Sequence, residues 1–161
     1  MRNRRRSGSS DQRGFTLIEL TIVLAVLSIL AVMALALYAN LQSRARVGKA
    51  QADLKGLQWA LVAFGAHCGD VPNTPTTFTD VTPLTLASGA DTCANAVAGN
   101  LAGLGQQVLD ANHIPAGPFY TAGGDLTPAK GWTYTYTRTG PGQFTLTASH
   151  PNDITTPITV P

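Results

Sequence analysis

From Phe15 to Ala39 the chain reads FTLIELTIVLAVLSILAVMALALYA, an apolar run without Gly or Pro, broken only by Thr16, Glu19, Thr21, Ser28 and Tyr38. At 1.5 Å per residue such a run makes a helix roughly 37 Å long, more than the hydrocarbon core of about 30 Å. Lipid offers a backbone no hydrogen-bond partners, so helix is the form this segment must take if it enters a membrane. Ahead of it, residues 1–14 are polar, rich in Ser and Gly, and without apolar periodicity. They carry Arg2, Arg4, Arg5, Arg6 and Arg13 against one acid, Asp11. By the positive-inside rule these arginines keep the N-terminus in the cytoplasm and send everything beyond about residue 40 to the exported side.

Charge is scarce elsewhere. Only 12% of residues are charged, about half the usual share of a soluble domain. The formal net charge of +2 belongs to the leader, since acids outnumber bases after Gly14. A sequence pI of 8.7 is therefore no sign of a nucleic-acid partner.

A helical pattern continues past the apolar run. Val47, Ala50, Leu54, Leu57, Leu61 and Phe64 follow at steps of three and four, with Arg46, Lys49, Gln51, Asp53, Lys55 and Gln58 between them. The spacing predicts one helix from Phe15 to about Ala66, apolar all round over 15–39 and one-sided over 40–66. Residues 67–161 form a separate head. In it, 67–95 read as a structured loop rich in Thr, Pro, Gly and Asp, and Val97, Leu101, Leu104 and Val108 as a short helix weakened by Gly99, Gly103 and Gly105. Trp132, Tyr134 and Tyr136 alternate with Thr133, Thr135 and Thr137. After a turn at Thr139–Gly142 the pattern resumes at Phe144, Leu146 and Ala148, which predicts a hairpin. A third strand over Ile154–Val160 is confined to an edge by Pro157. Cys68 and Cys93, a pair in an exported domain, predict a disulfide closing a loop of about 25 residues, worth about 3 kcal/mol in the chain-entropy picture.

Glu19 is the anomaly, a carboxylate five residues into a membrane-length helix, where it costs several kcal/mol unless it finds a partner or the interface. Its setting is Arg13-Gly14-Phe15-Thr16-Leu17-Ile18-Glu19, after a basic leader and before the apolar run. This junction closely resembles the N-terminus of type IV pilins and type II secretion pseudopilins. The resemblance implies an α+β fold of lollipop form, in which a long N-terminal helix packs on a small antiparallel sheet. It implies cleavage of Gly14–Phe15 by a prepilin peptidase, N-methylation of Phe15, and an assembly segment of Thr16, Leu17, Ile18 and Glu19. Glu19 would there pair with the N-terminal amine of a neighbouring subunit. Implied partners are copies of the chain and other pilin-like subunits, the peptidase, an assembly platform protein with its ATPase, and the inner membrane before assembly. No catalytic residue, cofactor or metal is implied.

The segments Cys68–Thr77, Ile114–Tyr120 and Trp132–Tyr136 resemble the head of the major pseudopilin and tilt the expectation toward a type II secretion pseudopilin over a type IV pilin. Two departures stand out. The proline that most pilins carry about 22 residues into the mature helix is Ala36 here, which predicts an unkinked helix. The two cysteines precede the hairpin, whereas disulfide-looped pilins place both near the end.

Rival readings fare worse. Ala34-Leu35-Ala36 matches a signal-peptidase site, but the apolar run is too long for a signal core and contains Glu19. A bitopic anchor carrying a periplasmic binding domain explains the span but neither the Gly-Phe boundary nor Glu19. His67-Cys68-x-Asp70 as an activated thiol, or His67, Cys68, Cys93 and His113 as a zinc set, lack recognised geometry or spacing. A calcium loop would have only Asp153, Asn152 and the more distant Asp125. Stacking of nucleobases on Trp132, Tyr134 and Tyr136 is disfavoured by the scarcity of nearby cations; packing on Leu54, Leu57, Leu61 and Phe64 is the better use of that face.

Overall fold

The computed structural model describes residues 15–121 and 125–161. Residues 1–14, expected as a leader and including Gly14 of the expected cleavage site, lie outside the described residues. Helix α1 spans Leu17–Cys68. The chain divides into one unit ending at Leu41 and a second over Gln42–Pro161. In the first, the helix is exposed along the apolar run wherever its side chains are described. In the second, the rest of α1 and everything that follows make a compact head.

The head holds two sheets. Strands β1 (Thr76–Thr79), β5 (Thr133–Gly140), β6 (Gln143–Ser149) and β7 (Ile158–Val160) form one, in the order β1-β5-β6-β7 and antiparallel throughout. Strands β2 (Ala90–Thr92), β3 (Gln107–Leu109) and β4 (Pro115–Ala116) form the other, with β2 parallel to β3. Between β2 and β3 lie helix α2 (Cys93–Ala98) and a 3-10 turn over Leu101–Gly105. A long helix followed by a small antiparallel sheet is the α+β class the sequence predicts.

Alternation explains which side of the larger sheet is dry. Phe78, Tyr134, Tyr136, Phe144, Leu146 and Ala148 point inward, while the threonines between them stay at the surface. Against that face lie Ala50, Leu54, Leu57, Ala60, Leu61 and Phe64 of α1, with Trp132, all in one buried cluster. The aromatic face is thus core.

Four sequence expectations need correction. The helix reaches Cys68 instead of stopping near Ala66. It ends where Gly69, at φ +80°, donates its N–H to the Gly65 carbonyl at 2.8 Å. The single helix expected through Val97–Val108 is three pieces. Gly99 closes α2, its N–H donating to the Asn95 and Ala96 carbonyls, and the Asn100 side chain caps the 3-10 turn. Val108 then sits in β3, paired with Ala116. Gly105 permits the close approach: a Cβ there would fall 2.6 Å from that of Leu86. The expected loop over 67–95 contains β1, whose Thr-Thr-Phe-Thr alternation is masked by flanking turn residues and appears only by pairing with β5. The strand expected over Ile154–Val160 shrinks to Ile158–Val160, because 151–153 turn to carry Asp153 back into the head.

Candidate functional site

The backbone of α1 starts where a side chain can take over from missing helical partners. The Thr16 hydroxyl accepts the Glu19 N–H at 3.3 Å, and the Thr16 carbonyl accepts the first helical N–H, that of Leu20. Thr16-x-x-Glu19 is a capping-box spacing, a signal the family resemblance eclipsed. It gives Glu19 a local role at the positive end of the helix dipole. Further along, Thr21 donates to the Ile18 carbonyl at 2.8 Å and Ser28 to the Leu24 carbonyl at 2.6 Å. Both hydroxyls are satisfied within the helix, so neither needs water.

Phe15, Leu17 and Ile18 are all largely exposed, as are the large apolar side chains that follow them as far as Leu41. Among the described residues the Glu19 carboxylate has no ion-pair partner. An 18-residue window of α1 has a mean hydropathy of 2.9, so its length and composition suffice to cross a membrane. The segment is therefore an exposed greasy rod with one acid in its first turn.

Three of the head's few acids hold the sheet and loops to its own part of α1. Asp53 accepts from the Tyr134 hydroxyl at 2.9 Å and from Lys49 at 2.8 Å, and Lys49 also donates to the Thr127 carbonyl. Burial and then the Asp53 charge push the Tyr134 phenol well above its usual range. Tyr136, pushed up to about 12 chiefly by burial, donates to the Pro72 carbonyl at 2.6 Å. Asp70, just past the helix end, accepts from Arg138 and from the Gly142 and Val71 N–H groups, so it grips β5 and the turn that leads into β6. Asp153 accepts two hydrogen bonds from Arg46, at 2.6 and 2.8 Å, one from Ser43 and one from Trp132 Nε1. Its side chain is 4% exposed, and the guanidinium beside it holds the carboxyl far below the ordinary carboxylate range. The acid weighed as a calcium ligand is engaged by the chain's own cation.

Cys68 and Cys93 are bonded to each other, joining the end of α1 to the start of α2. Neither sulfur is thus available as a free thiol. Among the described residues no group of three or more His, Cys, Asp or Glu side chains is placed to hold a metal ion. His67 Nε2 is buried without a hydrogen-bond partner, at a cleft that Asp110 and His113 also line.

Residues 9–35 match the family described as the prokaryotic N-terminal methylation motif. Fimbrial protein EcpB of Eikenella corrodens is 41% identical over 58 residues, 36% of each chain. A fimbrial protein of Neisseria meningitidis serogroup A is 40% identical over 65 residues, 40% of this chain and 38% of that one. The matches thus span little more than a third of those relatives' length. No solved structure matches the chain significantly. The methylation motif and the fimbrial relatives thus liken the N-terminal part of this chain to type IV pilin-like proteins, and a long helix followed by an antiparallel sheet accompanies it.

Proposed function

We propose that the chain is a structural subunit of a pilus-like filament, made as a precursor and cut between Gly14 and Phe15. The observation that carries this is the methylation motif lying across the start of an apolar helix whose described side chains are exposed. Residues 1–14 would be the leader and 15–39 the anchor, first in the inner membrane and then in the filament core. The head, 67–161, would be exported with the disulfide that such a compartment favours. Cleavage creates a cation at Phe15, and Glu19 is an acid in need of one. Pairing the two across neighbouring subunits offsets the desolvation of both and sets their axial register. The peptidase, the platform protein with its ATPase, and other pilin-like subunits are the partners this scheme requires. The role is mechanical and asks for no catalytic group.

Within the family, the head segments favour a type II secretion pseudopilin, whereas the relatives named above are fimbrial proteins. A deletion strain separates these: loss of exoprotein secretion supports the first, loss of surface fibres or twitching the second. The core of the proposal is tested by N-terminal mass analysis of protein recovered from cells. N-methylphenylalanine at Phe15 is expected. A chain beginning at Met1, or after Ala36, overturns the reading. In the same strain Glu19→Ala should be cut normally yet fail to enter filaments.

A further inference from the structure

One face of the larger sheet packs on α1; the other is uniform in chemistry. Across its strands the register sets Thr77, Thr135, Thr147 and Thr159 in one row. A second row joins Thr79, Thr133 and Ser149, and Thr137 stands opposite Thr145. Every outward position in the register is thus a hydroxyl residue, and none is charged. Arg138, the one charged residue of these strands, belongs to the other parity and is held by Asp70. Threonine is a good strand former, but propensity does not explain the lack of charge, since exposed sheet surface and edges are ordinarily guarded by lysine and glutamate. Thr77, Thr137 and Thr159 are exposed and the rest half-buried. Thr77 and Thr135 share a hydrogen bond at 3.4 Å, and Thr79 is used by the turn at Thr82. The other hydroxyls of the face have no side-chain partner among the described residues. At one end, Thr133 and Ser149 also line a cleft with Asn152, Pro151 and Pro157.

We propose that this hydroxyl face binds an uncharged, β-linked glycan, its chain laid across the strands along the Thr77–Thr159 row. A threonine hydroxyl donates one hydrogen bond and accepts two, as sugar hydroxyls do, and its methyl offers apolar contact to the C–H face of a pyranose ring. Neighbouring strands lie about 4.8 Å apart, close to the length of one sugar unit in an extended chain, so successive sugars meet successive threonines. Charge complementarity selects the class. A nucleic acid or an acidic polymer would find no cation on this face, whereas a neutral polymer loses no ionic hydration by lying on it. Twist selects the form: a sheet turns by roughly 20–25° from strand to strand, which a single chain follows and a flat lattice such as ice does not. The cleft at the end of the second row, with its amide and two proline rings, gives the chain a place to be gripped. The inference goes beyond the filament reading and stands without it, although repetition of the face along a filament would multiply a weak contact.

The test uses the full chain in a detergent without a sugar head group, mixed with swollen cellulose or chitin. The parent should sediment with at least one of them, equally at low and high salt, since no ion pair is involved. Thr135→Val with Thr147→Val removes two hydroxyls from the middle of the row, keeps strand propensity, and should weaken binding about tenfold or more, the loss of two hydrogen bonds. Thr135→Ser with Thr147→Ser keeps the hydroxyls and should retain most of it. Melting temperatures equal to the parent's separate lost contact from lost fold, and Thr159→Val, at the exposed edge, reads the same row should the valine pair fail to fold. Trp59, 74% exposed on α1, is the rival platform for a sugar, so Trp59→Ala should bind as the parent does. A parent that ignores both glycans overturns the proposal, as does full binding by the valine pair or loss of binding in Trp59→Ala alone. So does a face that shapes growing ice, or only pairs two copies in sedimentation velocity, without holding a glycan. Filament formation is scored separately, so the fate of either reading leaves the other standing.

Discussion

Leu57 and Trp59 lie two positions apart on one helix, yet truncating them should have opposite consequences for the head. Leu57 is fully buried between α1 and the larger sheet. Replacing it with alanine removes most of a buried side chain and leaves a cavity lined by a close-packed core, for which about 3 kcal/mol is expected. With an unfolding entropy near 2.1 cal/mol/K per residue, a head of roughly 120 residues loses about 4 °C for each kcal/mol, so Leu57→Ala should melt about 12 °C below the parent. Trp59→Ala removes a larger side chain that already faces solvent, and should stay within about 0.5 kcal/mol, or about 2 °C. The assay is thermal unfolding of the full chain in detergent, followed by near-ultraviolet circular dichroism. The chain's only other tryptophan, Trp132, is buried and reports on the core in both variants. Acrylamide should quench the parent's fluorescence in two classes and that of Trp59→Ala in the shielded class alone. Equal destabilisation by the two truncations would refute the two-sided reading of the helix, because it would place Trp59 in the core.

Acid should loosen the grip of Asp70 on the hairpin. Its carboxyl, lowered from 3.8 to about 2 by the Arg138 hydrogen bonds and then by the Gly142 and Val71 N–H groups, contributes stability that is complete above about pH 4 and lost as pH falls through 2. Full linkage would be roughly 2 kcal/mol, reduced to about 1 by the solvent that reaches this partly exposed pair. Asp70→Asn should therefore flatten urea-unfolding stability between pH 4 and 2, and an unchanged slope would count against the clamp. Replacing both Cys68 and Cys93 with alanine frees a 25-residue loop and should lower stability by about 3 kcal/mol. Reducing the parent with a thiol should give the same midpoint, and a midpoint equal to that of the oxidised parent would contradict this.

Much of the architecture was legible because the patterns that encode it are local. Period-3.6 apolar spacing marks α1, and strict alternation marks the β5–β6 pair, since in each case one face must be dry. The short elements were not legible. In β1 and β3 three or four residues carry too little pattern to outweigh neighbouring Pro, Gly and Asp. They become strands because β5 and β2 supply hydrogen-bond partners. The candidate assembly segment was readable from Gly14 through Glu19 as a motif, yet its capping geometry needed coordinates, since a Thr–Glu spacing alone does not say where a helix begins.

The sequence by itself determined the apolar rod, its single acid, the one-sided continuation to Phe64 and the aromatic hairpin face. Each follows from chain-local rules: transfer of apolar groups from water, and side-chain direction along a helix or strand. Only the tertiary structure decided which acids became tethers. Asp53, Asp70 and Asp153 look like any other carboxylates in the sequence, and each takes a donor that lies between 68 and 110 positions away. Only the structure, likewise, separated Gly48, where a Cβ would meet nothing within 4 Å, from Gly56, where it would press on the Tyr120 ring at 3.2 Å. A glycine's reason for being is whatever stands opposite it, and that is a property of the fold, not of the residues beside it in the chain.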